Sequence, residues 1–137
     1  VNDTYGHERG NEVLVGVARC LKKGVRMSDV VARYGGEEFC LILFDCNTEA
    51  ARQVTEKIRV LVESTIFSPV QKSIRITISA GICSNKVPGI QRASDLIQCA
   101  DEMLYEAKSA GRNRICVRSL SDDAPPASLQ KLPVLPA

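Results

Sequence analysis

The sequence lacks any long run of apolar residues. Its apolar stretches, such as residues 40–44, are far shorter than the roughly 20 residues that a membrane-spanning helix needs. It also lacks a basic segment followed by an apolar one, the pattern that directs export. These absences predict a cytoplasmic location, free or tethered through an upstream region, and no membrane contact by this segment.

The sequence has little net charge, since 18 basic residues stand against 16 acidic ones. This balance provides no electrostatic footprint for nucleic acid, so no nucleic-acid partner is expected and any phosphate binding must be local. The length of 137 residues, with 45% apolar and 25% charged residues, fits one soluble globular domain that builds its own core.

The cysteines include no CxxC pair. Six are scattered along the chain: Cys20, Cys40, Cys46, Cys83, Cys99 and Cys116. Several lie within apolar patterns, where a small buried side chain is suitable. In a reducing compartment we expect free thiols. Because the number is even, a disulfide framework is the alternative, and intact folding in reductant would dismiss it.

Apolar residues at helical spacing predict three helices. The first ends at Gly24, just after two lysines that complement the helix dipole. The second is capped by Asn47 or Thr48. The third is capped by Ser94 and ends at Gly111.

Strand patterns lie between these helices. Residues 30–34 and 38–44 predict a hairpin with Gly35 and Gly36 at its tip. Residues 73–84 alternate in polarity and predict one half-buried strand, and residues 114–117 predict a short strand. The order of elements predicts an α+β fold, in which helices pack on an antiparallel or mixed sheet.

The two ends of the chain differ from the middle. Residues 118–137 hold four of the six prolines and show no periodicity, which predicts a disordered tail. At the other end, the first helix begins so early that no strand precedes it to pair with the hairpin. We therefore expect a domain over residues 1–117 that lacks its first strand.

The hairpin tip is the most distinctive local sequence. Two glycines, Gly35 and Gly36, are followed at once by Glu37 and Glu38. Glycine lets a backbone approach a phosphate closely, and adjacent carboxylates can hold Mg²⁺ against it. A bare turn with solvated acidic neighbours has the same spacing, so spacing alone leaves both interpretations open.

The string GGEEF at the tip closely resembles the signature of the GGDEF-domain diguanylate cyclases. Four further blocks occur in the family's order and spacing: NDTYGHERGNEVL from residue 2, RMSD from 26, ITISAGI from 76 and ADEMLYEAKSAGRNR from 100. The resemblance covers residues 1–117. It implies a nucleotide-cyclase-like, palm or ferredoxin-like α+β domain, whose mainly antiparallel central sheet is flanked by helices.

The resemblance implies an enzyme that condenses two GTP into cyclic di-GMP and two pyrophosphates with Mg²⁺, or Mn²⁺ in its place. Glu37 matches the metal-binding carboxylate and Glu38 an acidic catalytic neighbour, while Gly35 and Gly36 lie under the phosphates. Each domain holds one nucleotide, so a second GGDEF domain is the implied partner, as a homodimer, and a monomer should be inactive.

Further matches concern nucleotide binding. Lys108 and Arg112 match the family's phosphate contacts, although a solvated basic helix end is the structural alternative. Asn2 matches a guanine contact, with a simple turn residue as its alternative. Asn11 stands where the family usually has Asp, and because an amide presents donors beside its acceptor, selectivity for guanine should soften. Asn2 and a bridging water can still orient guanine.

Arg26 and Asp29 reproduce the RxxD spacing that forms an inhibitory product site in the family. A guanidinium fork can grip phosphate and guanine, while a carboxylate accepts guanine N–H groups. The pair therefore suits cyclic di-GMP, and a surface ion pair is the alternative.

One departure concerns the metal. The family's metal-binding aspartate lies on the strand before the position of Asn2, so this chain alone is expected to be weakly active or inactive. The alternative function is a non-catalytic cyclic di-GMP receptor that uses Arg26 and Asp29. A scaffold that binds GTP without chemistry is a third possibility. The intact signature favours the enzyme.

Overall fold

Helices and strands interleave along the chain. The computed structural model describes residues 7–67, 73–118 and 128–136. In chain order its elements are α1 (His7–Gly24), β1 (Val30–Arg33), β2 (Glu38–Leu43), α2 (Thr48–Ser64), β3 (Ile76–Ile78), β4 (Ala80–Ser84), α3 (Ala93–Ser109), β5 (Ile115–Val117) and β6 (Ser128–Pro136). Within these residues, no helix combines the length and apolar character of a membrane span.

The strands form one sheet in the order β1-β2-β6-β4-β5, and β3 also pairs with β6. The β4–β5 pair is parallel and the other pairs are antiparallel. The predicted α+β fold with a mainly antiparallel sheet is confirmed.

The prediction of a disordered tail is wrong for residues 128–136, which form strand β6. It lies between β2 and β4, with Pro133 opposite Glu38 and Lys131 opposite Gly81. Strands β2 and β4 each present a row of backbone N–H and C=O groups that need partners. This demand outweighs the poor strand propensity of Pro133 and Pro136, which have no N–H to donate.

The hairpin therefore has a partner strand, contrary to the expectation that it would lack one. The remaining tail residues, 119–127 and 137, lie outside the described residues, and so do residues 1–6. For these segments, disorder in the tail and the absence of a first strand stay predictions.

Helices cover both faces of the sheet. The apolar stripe of α1, with Val13, Val17 and Leu21 fully buried, packs in one core with α2 and the even-numbered residues of β3 and β4. Helix α3 covers the opposite face, where Cys83 and Cys99 are buried. The apolar stripes predicted from the sequence therefore lie mostly in the core, and Leu61 of α2 is an exception because it is exposed.

The predicted strand over residues 73–84 is two strands, because the pairing is interrupted at Ser79. The Ser79 hydroxyl accepts a hydrogen bond from the Asn113 amide at 3.1 Å. Every residue of β4 is buried, so the strand is not half-buried as predicted. The alternating pattern misled because the face that carries Gly81 and Cys83 is covered by α3.

Two helix starts test the predicted caps. Asn47 caps α2, since its side-chain oxygen accepts from the Ala50 amide at 2.7 Å. The cap of α3 is Arg92 rather than the predicted Ser94. The Asp95 carboxylate accepts hydrogen bonds from the amides of Gln91 and Arg92 at 3.0 and 2.9 Å. These bonds satisfy donors ahead of the helix, so α3 begins two residues earlier than a Ser94 cap would place it.

Helix α3 approaches β4 closely at Gly81. A Cβ on Gly81 would lie 2.2 Å from the Ala100 carbonyl oxygen and 2.3 Å from the Leu104 amide nitrogen. Both are backbone atoms, which a small side-chain adjustment does not move. Glycine is therefore required here by the packing of helix on strand.

The same approach brings Cys83 and Cys99 together as a disulfide, with their Cα atoms 5.9 Å apart. For this pair, the predicted free thiols are wrong, because helix packing at Gly81 places the two buried side chains side by side. Cys20, Cys40, Cys46 and Cys116 are not disulfide-bonded, as predicted.

We expect Gly81→Ala to lower the free energy of unfolding by about 3 kcal/mol or more, because the added methyl overpacks against backbone. Urea unfolding followed by circular dichroism measures this change. Gly36→Ala is the control, since a Cβ there meets no atom within 4 Å. Equal unfolding midpoints for the two variants would show that α3 does not rest on β4 at Gly81.

We expect replacement of residues 128–136 by a Gly–Ser segment of equal length to destabilise the whole sheet. Glycine loses more conformational freedom on folding and brings no side chain to pack, so the segment would pair less with β2 and β4. Each ladder hydrogen bond lost would cost about 1 kcal/mol. The unfolding midpoint in urea should fall and the transition should broaden. An unchanged midpoint would mean that β6 is not part of the stable sheet.

Candidate functional site

The hairpin of β1 and β2 positions the glycine tip. Its ladder runs from Val30 opposite Ile42 to Arg33 opposite Phe39. The Tyr34 amide then donates to the Glu38 carbonyl oxygen at 2.8 Å. The turn over residues 34–37 is thus fixed at one end of the sheet, which we call the tip end.

Arg33 anchors this turn from one side. Its Nε donates to the Gly35 carbonyl oxygen at 3.2 Å, and a terminal guanidinium nitrogen donates to the Gly36 carbonyl oxygen at 2.7 Å. In a planar trans peptide the N–H points away from the C=O. The amides of Gly36 and Glu37 therefore point away from Arg33, an arrangement typical of anion-binding turns.

The protein itself leaves room for side chains at the two glycines. A Cβ on Gly36 would meet nothing within 4 Å, and one on Gly35 would meet only Glu38 atoms at 3.8 Å. Packing therefore does not require glycine at this tip, in contrast to Gly81. The missing side chains leave the tip backbone open to a group that approaches from outside.

Two carboxylates flank the open tip, Glu37 and Glu38, and both are half-buried. Among the described residues, no group of three or more His, Cys, Asp or Glu side chains assembles a complete metal site. Adjacent carboxylates fit an ion such as Mg²⁺, which keeps several waters and takes further oxygens from substrate phosphates.

A cavity of about 500 Å³ lies between α1 and the hairpin. Its lining residues are Asn11, Leu14, Val15, Ala18, Lys22, Val31, Arg33 and Phe39. The mixture of an apolar wall with a few polar groups, and the volume, are typical of small-molecule sites. Asn11 and the tip anchor Arg33 thus share one cavity. Asn2 lies outside the described residues, so its predicted guanine contact stays a prediction.

The register places Lys108 and Arg112 at the same end of the sheet as the tip. Glu38, at the tip end of β2, pairs with Pro133 of β6. Gly81, near the start of β4, pairs with Lys131, two residues from Pro133, so β4 starts at the tip end. Because β5 runs parallel to β4 with Ile115 opposite Ala80, the turn between α3 and β5 also lies at the tip end. Lys108 is half-buried and Arg112 is exposed.

Arg26 and Asp29 lie at the opposite end of the hairpin, in the loop before β1. The Asp29 carboxylate is only 3% exposed and accepts from the backbone amides of Arg26 at 2.9 Å and Phe44 at 3.2 Å. The Arg26 guanidinium pairs with it at 3.4 Å, bonds the Phe44 carbonyl and remains 57% exposed. Asp29 therefore ties the loop to the end of β2, while Arg26 faces solvent.

A second cavity, of about 460 Å³, lies beside this loop. Its lining includes Lys22 and Arg26 as basic groups, Asp29 as the acidic partner of Arg26, and Met27, Val30 and Val31 as apolar groups. A basic, partly apolar hollow suits an anionic ligand with flat bases.

Burial alone would raise the pKa of Asp29, but the hydrogen bonds from the Arg26 and Phe44 amides and from the Arg26 guanidinium outweigh it. The net effect holds the pKa of this carboxyl below its usual value. The charged form is therefore favoured by folding. Its contribution to stability is present above the unfolded pKa of about 3.9 and is lost as the pH falls through the folded pKa.

We expect the unfolding free energy of the parent chain to fall more steeply between pH 5 and pH 3 than that of Asp29→Asn. The difference should be about 1 kcal/mol, since the amide does not titrate. Glu49 and Glu56 also have lowered pKa values beside Arg52 and Arg59, but they titrate in both proteins and cancel. Urea unfolding over this pH range provides the test, and parallel profiles would argue against a structural role for Asp29.

Comparisons with known proteins identify the family of the chain. The family model described as diguanylate cyclase, GGDEF domain, matches residues 1–114. The chain therefore belongs to the GGDEF-domain diguanylate cyclase family, and the resemblance noted in the sequence is confirmed.

Individual relatives were also found. The chain is 43% identical over 115 residues to diguanylate cyclase A of Treponema denticola. The aligned region covers 84% of this chain and 31% of that protein. The active GGEEF domain of a Vibrio cholerae diguanylate cyclase superposes with a TM-score of 0.77 at 32% identity, over 88% of this chain and 75% of that one.

The GGDEF domain of DgcB from Caulobacter crescentus, solved in complex with c-di-GMP, also superposes with a TM-score of 0.77, at 34% identity over 85% of this chain and 68% of that chain. The chain spans about a third or less of the length of the curated relatives named Diguanylate cyclase A and DgcT. The likeness thus concerns one domain of those larger proteins.

Proposed function

We propose that this domain condenses two molecules of GTP into cyclic di-GMP, with release of two pyrophosphates. The observation that carries the proposal is the open Gly35–Gly36 tip, whose carbonyls are held by Arg33 and whose next residues are Glu37 and Glu38. In a member of the diguanylate cyclase family, such a tip suits a triphosphate that approaches the backbone closely.

The nucleotide would lie along the tip end of the sheet. Its base would enter the cavity beside Asn11, and its phosphates would face the amides of Gly36 and Glu37. Lys108 and Arg112, at the same end, would neutralise the outer phosphates. The amide of Asn11 presents donors as well as an acceptor, so we also propose weaker selectivity for guanine than a carboxylate would give.

Glu37 would hold Mg²⁺ or Mn²⁺, with Glu38 as the neighbouring acidic group. When bound, the ion would neutralise charge on the triphosphate. The residues of the chain would orient the nucleotide so that the 3′-hydroxyl of a second nucleotide meets its α-phosphorus in line. The described residues offer few carboxylates to the ion, so we propose that this chain alone turns over GTP slowly.

A single tip holds one nucleotide, whereas the product joins two. We therefore propose that the domain works as a homodimer, in which a second GGDEF domain presents its nucleotide in the antiparallel sense. We also propose the cytoplasm as the location of the reaction, where its substrate GTP is found.

We propose that cyclic di-GMP binds at Arg26 and Asp29 and inhibits the enzyme. The exposed Arg26 guanidinium would contact the product, while Asp29 holds the loop that carries it. This site lies one strand length from the tip, roughly 13 Å for four residues of β1, so bound product would leave the tip of the same chain uncovered.

A second candidate function is a cyclic di-GMP receptor without catalysis. It is favoured by the exposed Arg26 beside the cavity of about 460 Å³, which needs no metal. The receptor and the enzyme differ in product formation, which a single assay resolves.

We expect the 137-residue chain, incubated with GTP and Mg²⁺, to form cyclic di-GMP slowly, as detected by liquid chromatography and mass spectrometry. Glu37→Gln should reduce the rate about a hundredfold or more, because the charge that faces the ion is lost. Gly36→Ala should weaken GTP binding while leaving the free protein as stable as before, because its Cβ has room in the unliganded tip.

Glu49→Gln, an exposed pair partner of Arg52 on α2, is the matched control and should behave as the parent. If cyclic di-GMP binds in an Arg26-dependent way and no product forms, the receptor is the better assignment. If neither nucleotide binds, both proposals fail.

A further inference from the structure

The turn that carries Arg112 has a strained backbone. Gly111, Arg112 and Asn113 have φ values of +117°, +63° and +49°. Glycine adopts such values freely and asparagine does so more readily than most residues, but arginine has no such preference. Three left-handed residues in succession must therefore be held in place by the surrounding structure.

Backbone hydrogen bonds supply part of this hold. The Arg112 amide donates to the Ala107 carbonyl at 3.0 Å, which closes the end of α3. The Asn113 amide donates at 3.1 Å to the hydroxyl of Ser79, which is 1% exposed and lies between β3 and β4. The turn is thus tied at once to its own helix and to the sheet.

The Asn113 side chain adds a link to α2. Arg59 donates to the Asn113 side-chain oxygen at 2.7 Å, and the Asn113 amide group donates to the Glu63 carboxylate. The Arg59 side chain is only 16% exposed. Its guanidinium is fixed by a fork to Glu56, with nitrogen–oxygen distances of 2.9 and 2.6 Å.

A neighbouring pair shows what is special about Arg59. On the same helix, Arg52 makes the same fork to Glu49, at 3.0 and 2.6 Å, but its side chain is 48% exposed. An exposed fork of this kind contributes little beyond local helix stability. Arg59 makes an equivalent fork to Glu56 and in addition donates to Asn113, which lies 54 positions away in the chain.

We propose that Arg59 and Asn113 are positioning residues for Arg112, which fix the strained turn so that Arg112 is presented at the tip end of the sheet. The proposal rests on the proposed function, in which Arg112 contacts the phosphates of GTP. A guanidinium fork fixes a partner in both distance and direction, which suits the task of holding a turn. The link joins α2, which lies on one face of the sheet, to the turn that follows α3 on the other.

The first test measures the turn without any ligand. Hydrogen exchange of the Arg112 and Asn113 amides should become about tenfold faster or more in Arg59→Met, which removes the fork but keeps a side chain of similar length. In the matched control, Arg52→Met, these two amides should exchange as in the parent chain. Unchanged exchange in Arg59→Met would overturn the proposal whatever the substrate.

The second test measures GTP binding by titration calorimetry in the presence of Mg²⁺. Arg112→Ala should weaken binding about tenfold, the effect of losing one charge-assisted hydrogen bond. Arg59→Met should weaken it about fivefold, and Arg59→Lys, which keeps a donor for Asn113, should restore part of the loss. Arg52→Met should bind as the parent does.

The double variant Arg59→Met with Arg112→Ala separates positioning from general destabilisation. If Arg59 acts through Arg112, the double variant should bind GTP no more weakly than Arg112→Ala alone. Additive losses would overturn the positioning role and leave the phosphate contact intact. Full affinity in Arg112→Ala, with exchange still accelerated in Arg59→Met, would instead refute the phosphate contact, and with it a role in presenting Arg112 to substrate.

Discussion

The rest of the structure depends on the strand at the centre of the sheet, β6, which lies between β2 and β4. The glycine tip belongs to the β1–β2 hairpin. Lys108 and Arg112 lie in the last turn of α3 and in the turn after it, and α3 packs on β4. Strand β6 pairs with both β2 and β4, and its ladders set the register between these halves. A slip of one residue would exchange the buried and exposed faces of a strand. The glycine tip and the turn after α3 therefore lie at the same end of the sheet because β6 pairs with both β2 and β4.

Most elements were predictable from local pattern, and the errors have identifiable causes. The stripes of α1 and α2 show the helical period, and the two glycines mark the hairpin tip. Residues 128–136 were predicted as part of a disordered tail because the tail is rich in proline and shows no periodicity, yet the demand for pairing from two neighbouring strands decides the outcome. Likewise, the pairing of Cys83 with Cys99 depends on how closely α3 lies on β4, which is a property of the packing at Gly81.

The sequence indicated the residues of the candidate site, whose roles stay predictions, but it did not indicate the residues that support them. The signature at residues 35–39 pointed to the tip, and the structure places Asn11, Lys108 and Arg112 at the same end of the sheet. Arg33 was missed, although a basic residue directly before the two glycines was a visible signal. Its role depends on where the tip carbonyls point, which only the folded hairpin determines.

Both turns at the tip end are held by an arginine that does not itself belong to the proposed phosphate contacts. Arg33 holds carbonyls of the glycine tip, and Arg59 holds the side chain of Asn113. Triphosphate is strongly anionic, so the Arg33 guanidinium also adds positive potential at the glycine tip. A neutral support of the same shape would fix the turn without this field. The charge of Arg59 is instead balanced by Glu56 and Glu63. At the glycine tip, arginine therefore combines rigidity with electrostatic attraction, whereas at the turn after α3 the paired Arg59 supplies rigidity alone.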